Sequence, residues 1–512
     1  MKKFYAVLMI CAIAFASCKK ADDENNGKPE PKVKITVEVT TGDASNLAET
    51  SAVLAGSYAI TEGETTVSKV GFFIGSDSGV GENNTAIEAA AVAEQFTANA
   101  TNLEEGVTYY YKAFAKYTGA DGKEAVAMGA EKQFTTPSLY VKFKDQAFEE
   151  FCLSYYDMDE DGKLSYEEAA EATGHVNFAN RGFTDMTGIR AFKNVTEIEL
   201  WNNAFSTLDM SGMDKLEKVW IQNNANLKNF NFQGCVKLEY VEAHTSGLEV
   251  VNLADLPGLK TVYIQANPSL ASADFSNSGV IAIYSGGNAA LTSVNVTGCN
   301  ALYHLEMWGC GLTDLDISNL PALTNVYVQQ NKALGKLNAK GSAVVHLEAW
   351  QDALYSVDCS DCSRLFELFV QDQVDVATGS ITVQNCPELV NLQMGNAKYT
   401  SIDVSTCPKI ANLVAGNNAL QAVNINGCHA LAAAHFYGNN TLQSVVVTDA
   451  PALTDMNLND CSLATLDVSG ASMNMNLLWA QNNVPLKKIT LKTGQNITDF
   501  RYDTANVELE YK

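Results

Sequence analysis

The chain has 512 residues, room for several domains at the usual ~100–200 residues each. Its 59 acidic residues outnumber 34 basic ones, for a net charge of −25. That balance argues against nucleic acid as a partner, since phosphate backbones demand basic surface.

In chain order, Met1–Ser17 reads as a secretory signal: Lys2 and Lys3, then an apolar run from Phe4 to Ala16. The run is too short to span a bilayer comfortably. It ends in Ala14-Phe15-Ala16-Ser17-Cys18, which resembles a bacterial lipobox, with Phe15 bulkier than the usual residue. The resemblance implies cleavage before Cys18, acylation of its thiol and a lipid anchor. No other segment reads as a membrane crossing. Residues 18–32 are polar, with Pro29 and Pro31, and read as a tether. The charged run Lys19–Glu24 resembles the export tag of surface lipoproteins from the Bacteroidetes.

Residues 33–137 hold short β-rich runs at Val33–Val39, Ser51–Tyr58, Val67–Ile74, Glu94–Ala100, Thr108–Tyr117 and Glu131–Thr135. This pattern predicts a β-sandwich. Leu103-x-x-Gly106-x-x-Tyr109, followed by alternating Tyr111, Ala113 and Ala115, resembles the tyrosine corner of fibronectin type III domains. The segment carries no visible chemistry, so a spacer is expected.

Residues 138–190 are read as an N-terminal cap on the C-terminal repeats. Phe148, Phe151, Cys152 and Tyr155 recur at helical spacing. The stretch Asp157–Glu168 then fills each place of an EF-hand loop. Asp157, Asp159 and Asp161 supply carboxylates at places 1, 3 and 5, and Gly162 allows the turn at 6. Lys163 offers a carbonyl at 7, Ser165 stands at 9, and Glu168 at 12 is the bidentate ligand. Ca²⁺ is the expected ion, because three carboxylates this close repel one another without a cation. A single motif points to a structural clamp rather than a sensor.

From about Val195 the chain repeats L-x-x-L-x-L-x-x-(N/C)-x-L, the leucine-rich-repeat signature of a solenoid. Fourteen units begin at Val195, Leu216, Leu238 and so on to Met475. Their spacing is 21 or 22 residues, except 24 between Leu365 and Leu389, which places an insertion near Asp375–Ser380. Half-way units such as Leu227, Leu291 and Leu463 give each coil a second extended segment. The expected fold is therefore mainly β: a leucine-rich-repeat solenoid of about 14 coils over residues 191–512, preceded by a β-sandwich and a short helical EF-hand segment. Ile497–Lys512 is expected to cap the end. Ten cysteines remain beyond Cys11 and Cys18, eight of them at the inward place 9. They read as small core residues. Cys359 and Cys362 form a C-x-x-C without a second pair at zinc spacing, and disulfides between coils stay open.

Places 3, 5 and 7 of each unit alternate outward. All five tryptophans occupy such places on the first face: Trp201, Trp220, Trp308, Trp350 and Trp479. His304-Leu305-Glu306-Met307-Trp308 recurs as His346-Leu347-Glu348-Ala349-Trp350 two coils later, with Tyr327 between. An exposed aromatic row usually marks a binding surface. The candidate ligand residues are Trp220, Tyr263, His304, Glu306, Trp308, Tyr327, His346, Glu348, Trp350 and Phe369. The second face instead carries small polar residues, such as Asp316, Ser318, Asp467 and Ser469.

Lipobox, fibronectin-like spacer, single EF-hand and cysteine-bearing repeats together resemble cell-surface lipoproteins of gut Bacteroidetes. The resemblance implies an outer-membrane, lipid-anchored, surface-exposed protein with a binding role. The partner expected is a protein or a glycan, recognised by a monomer. A polysaccharide-acting solenoid enzyme is the alternative, with an adhesin or scaffold lacking sugar specificity as a third. Glu306 and Glu348, two coils apart, should lie roughly 10 Å from each other by strand spacing. That is too wide for a retaining glycosidase pair and at the edge of the inverting range. No nucleophile elbow, phosphate loop or metalloprotease motif occurs, so no catalytic residue is expected.

Overall fold

The computed structural model describes residues 34–374 and 378–512. Cys18 and the leader lie outside the described residues, as do three positions of the expected insertion. The chain forms two compact units, one ending at Leu139 and the other beginning at Tyr140.

The first unit is a pair of antiparallel sheets. One joins Thr36–Thr41, Ser45–Ala48, Ser51–Glu62 and Gln95–Thr101; the other joins Val67–Gly75, Thr85–Glu88, Thr108–Thr118, Glu124–Met128 and Lys132–Thr135. Alternation along each strand buries Leu54, Phe72, Phe96 and Tyr111 between them. Ser45–Ala48, Thr85–Glu88 and Glu124–Met128 escape the sequence reading because each is short and has no fully buried residue. The Tyr109 hydroxyl accepts the Glu104 N–H at 2.9 Å, pinning the chain five residues upstream.

The second unit opens with helix α1 (Gln146–Tyr156) and helix α2 (Tyr166–Glu171). Asp145 caps α1 by accepting the Phe148 N–H, and its other oxygen accepts both the N–H and the hydroxyl of Thr184. Burial opposes that charge, but the Thr184 and backbone donors hold the carboxyl below its usual range. Phe148 meets Phe178 and Phe183 edge-on or tilted at 5.4 and 5.2 Å, so the helix is packed onto the first coil by rings.

The rest is a leucine-rich-repeat β-solenoid. Its front sheet has 16 parallel strands, from Gly174–Asn177 through Val195–Glu199 to Asn496–Tyr502. The 14 expected units supply the middle; the segments 174–177 and 496–502 add one strand at each end, because their backbones pair in register with the coils beside them. The back of the coils pairs only in short sheets of two to four strands. Places 1, 4 and 6 are buried throughout, as at Leu302, Leu305 and Met307.

Place 9 of the coils forms a buried polar ladder, interrupted at Ala397. Asn267 Oδ1 accepts the Ser246 N–H at 2.9 Å, and its Nδ2 donates to the carbonyls of Ala243 and Ile264. The ladder thus satisfies backbone groups that a turn leaves unpaired. Cysteine substitutes for asparagine in this role: Cys310 Sγ donates to Ser285 O at 3.1 Å and Cys461 Sγ to Phe436 O at 3.2 Å. All ten described cysteines are free and buried. Burial pushes Cys362 up to about 11 and Cys386 up to about 12, which keeps both as thiols.

Candidate functional site: the front face

The front face is built on strict register. Glu306, Tyr327 and Glu348 are direct neighbours on successive strands, as are His304, Asn325 and His346. Residues that stand 21 positions apart in the chain therefore touch. Trp220, Tyr240, Tyr263, Tyr284, His304, Tyr327, His346 and Phe369 form one unbroken run of ring contacts. Centroid separations range from 4.6 Å, for the parallel Tyr263–Tyr284 pair, to 5.7 Å. Such spacings are the preferred offset and tilted geometries. Trp220, Tyr263, His304, Glu306, Tyr327, His346, Glu348 and Phe369 lie on strands of this one sheet, and Trp308 and Trp350 stand in the turns two residues after theirs.

Tyr240 and Tyr284 are the links that the candidate set lacks. Tyr240 stands at place 3 and becomes visible only when all outward places are read together.

Carboxylates and rings alternate between coils. One kind of strand carries Glu at place 5 and a ring at place 7: Glu306 with Trp308, Glu348 with Trp350, Glu242 with His244. The strand between them carries a ring at 5 and Gln at 7, as Tyr327 with Gln329. On the first kind the ring N–H donates to the carboxylate of its own strand. Trp308 Nε1 reaches Glu306 at 2.6 Å and Trp350 Nε1 reaches Glu348 at 3.0 Å. His346 is bound on both nitrogens, to Glu348 and to Glu367. His304 Nε2 is instead buried without a hydrogen-bond partner, 3.6 Å from Glu306.

The rings are less exposed than their outward places imply. Trp308 is 40% exposed, and the other four tryptophans are half-buried. Coils stack closer than an indole is wide, so each ring must lie over a neighbour. Trp308 folds back over Gly286, where any Cβ would collide with the indole. Tyr437 does the same over Gly416. The signal in the sequence is a glycine at place 7 one coil before a large ring.

A second feature is the acidic loop. Oxygens of Asp157, Asp159 and Asp161 lie within 4.8 Å of one another. Asp157 Oδ2 accepts the Gly162 N–H, and Gly162 takes the positive φ of 79° that the turn needs. Asp157 Oδ1 is buried without a partner. At Asp159 the Asp161 N–H lowers the carboxyl pKa, but desolvation and the charges of Asp161, Glu168 and Asp157 outweigh it and raise the group. Glu168 closes the loop by accepting the Met158 and Ser165 N–H groups. The Lys163 ammonium lies over the Tyr140 ring, 4.6 Å from its centroid, and the Tyr140 hydroxyl donates to Asp161 Oδ2 at 3.1 Å.

No family model matches the chain, and no curated protein matches it. Among the solved structures similar to it are two that follow. One is the functional domain of InlJ from Listeria monocytogenes, which includes a cysteine ladder: 20% identity, TM-score 0.34, covering 69% of this chain and 77% of that one. The other is the leucine-rich repeat domain of APL1B: 15% identity, TM-score 0.32, covering 66% of this chain and 86% of that one.

Proposed function

We propose that this protein is a ligand-binding solenoid whose front face recognises a protein or a glycan outside the cell. The observation that carries the reading is the continuous ring run from Trp220 to Phe369, flanked by the Trp308–Glu306 and Trp350–Glu348 pairs. Rigid rings with polar edges lose little entropy on binding and dominate interface hot spots. Catalysis is not part of the proposal: Glu348 is hydrogen-bonded by Trp350 and His346, and Glu306 by Trp308.

A glycan array beside a pull-down from host secretions tests this. Trp308→Ala with Trp350→Ala should abolish any hit. Undiminished binding by the folded double variant would sink the front-face reading.

Three further roles belong to the same proposal. Cys18 carries a lipid that anchors the chain to the outer membrane. Protease added to intact cells should remove the protein, and Cys18→Ala should release it. The fibronectin-like sandwich holds the solenoid away from the membrane. The Asp157–Glu168 loop holds Ca²⁺ through Asp157, Asp159, Asp161, the Lys163 carbonyl, Ser165 and Glu168. The converging carboxylates and the unpartnered Asp157 oxygen fit a hard dication. The ion would supply charge neutralisation beside α1, and hence stiffness in the ring cluster under the first coil. Chelator should lower the melting temperature of the wild type and leave Asp157→Ala with Glu168→Ala unmoved. Equal melting with and without Ca²⁺ excludes the clamp.

A further inference from the structure

The front face is a one-sided electrostatic surface. Its outward places between Val195 and Gln371 carry the carboxylates Glu197, Glu199, Glu242, Glu306, Glu348 and Glu367. Among the same places the one lysine or arginine is Lys218, and Glu197 already binds it at 2.7 Å. The other groups at these places able to carry positive charge are His244, His304 and His346, each 3.0 to 3.6 Å from a carboxylate of its own strand, so beyond Lys218 the face has no permanent cation.

The far end of the same sheet shows how such a surface is completed. The Arg501 guanidinium lies over the Trp479 indole, 4.3 Å from the ring centroid. Asp499 accepts two hydrogen bonds from that guanidinium, both 2.9 Å, and a third from Trp479 Nε1 at 3.0 Å. Carboxylate, indole and guanidinium form a closed triangle.

Two sides of that triangle recur at the centre of the sheet. Trp308 Nε1 is fixed to Glu306, and Trp350 Nε1 to Glu348. Among the described residues no lysine or arginine lies over either indole. Gly286 seats one side of the Trp308 ring and leaves the remainder accessible.

We infer that the front face binds a polypeptide segment that presents arginine side chains, one guanidinium stacking on Trp308 beside Glu306 and a second on Trp350 beside Glu348. This deepens, and rests on, the reading of the front face as the ligand site. Arginine fits better than lysine because its planar fork stacks on a ring and bridges to a carboxylate at once. The chain's net charge of −25 favours approach of a basic segment from a distance. The spacing fits as well. Two coils separate the receptors by roughly 9–10 Å. A polyproline II helix returns to the same face every three residues, about 9.3 Å. The expected motif is therefore arginine at every third residue of an extended, proline-rich segment.

The test uses the full chain and a synthetic peptide of three Pro-Pro-Arg repeats, with binding followed by calorimetry and tryptophan fluorescence. The arginine peptide should bind, the lysine version more weakly. The version with neutral, isosteric citrulline should show no binding. Binding should weaken from about 0.05 to 0.5 M salt, as contacts between exposed charges are screened. Trp308→Ala with Trp350→Ala should lose at least about tenfold in affinity, with its melting curve recording that the solenoid stays folded. Glu306→Gln with Glu348→Gln should weaken the arginine peptide while keeping the rings.

Equal affinity for arginine and citrulline peptides, or no binding of the arginine peptide, overturns the inference. If the arginine peptide fails but a glycan or protein from the array or pull-down depends on Trp308 and Trp350, the front-face reading stands and this inference alone falls. If every ligand binds the tryptophan double variant normally, both fall.

Discussion

Front and back of each coil share one backbone path and one buried core, yet their outward residues do different work. On the back, the last residue of the strand turns the chain. Asp209 Oδ1 accepts the Ser211 N–H at 3.0 Å, Asp316 the Ser318 N–H at 3.0 Å, and Asp467 the Ser469 N–H at 3.0 Å. Asn231, Asn252 and Asn424 repeat the bond. These are side chain-closed turns, in which a short polar side chain substitutes for a backbone partner. On the front, the equivalent place 5 carries Tyr263, Glu306, Tyr327 or Phe369, none of which caps a turn there. Across most of the front the buried place 9 ladder closes the turns instead, with Asn457 the exception, whose Oδ1 accepts the Asn459 N–H at 3.1 Å. Moving the turn-closing bond into the core leaves the front outward places unconstrained, and they hold rings and carboxylates. The back is architecture, and the front is available for recognition.

The comparison breaks most sharply when core and outward residues of one front strand are set against each other. Leu305 is fully buried between outward His304 and Glu306. Leu305→Ala should cost about 2–5 kcal/mol of stability, read by denaturant unfolding. Trp308→Ala three residues on should cost far less stability and reduce ligand binding. Loss of stability at Trp308 as large as at Leu305 would mean the ring is core after all.

A smaller effect tests the front ladder. Asp352 stands where its neighbours carry Asn331 and Gln373, and it is fully buried. Its Oδ1 accepts the Asn331 N–H at 2.6 Å, but Oδ2 has no partner. Gln373 and Asn331 use the corresponding amide nitrogen to donate to carbonyls, so only a protonated Asp352 can act alike. Burial pushes its pKa up to about 8, against the opposing Asn331 N–H. The folded value exceeds the unfolded one, ~3.9. The contribution is thus fully present below pH ~4 and is lost as pH rises through about 8. Asp352→Asn should restore the donor, stabilise by about 1–3 kcal/mol above pH 8, and flatten the pH dependence of the melting temperature between 4 and 8. An unchanged pH profile in the variant would reject this account.

On the back face, Asp316→Ala removes one turn-closing bond and should cost about 0.5–1.5 kcal/mol. Affinity for any front-face ligand should not move; if it does, the two faces are not independent.

The smallest change sharpens the front. Gly286→Ala puts a methyl group where the Trp308 indole rests. Stability should shift by no more than ~1 kcal/mol, because the ring can swing outward. Indole fluorescence should shift to the red as the ring becomes wetter, and binding at Trp308 should weaken.

Much of this was legible in the chain. The 21- and 22-residue spacing set the coil, and a period of two within each unit sorted inward Leu305 and Met307 from outward His304, Glu306 and Trp308. Place 9 reads as inward from its cysteines, whereas the hydrogen-bonded asparagine ladder there emerges only from the structure. The dividing line falls at contacts between coils. Alternation along one strand says that Trp308 leaves the core; only the neighbouring coil says that it lies over Gly286. Place 9 marks Asp352 as inward, but its protonation is set by burial between the coils on either side. Likewise His304 and Tyr327 are strangers in sequence and in tilted ring contact at 5.5 Å in the sheet. The sequence by itself determined the repeat and its two faces, because those depend on periodicity within a coil. Tertiary structure decided how far the rings stand out, which acid is neutral and where a guanidinium could sit, because those depend on side chains one coil away.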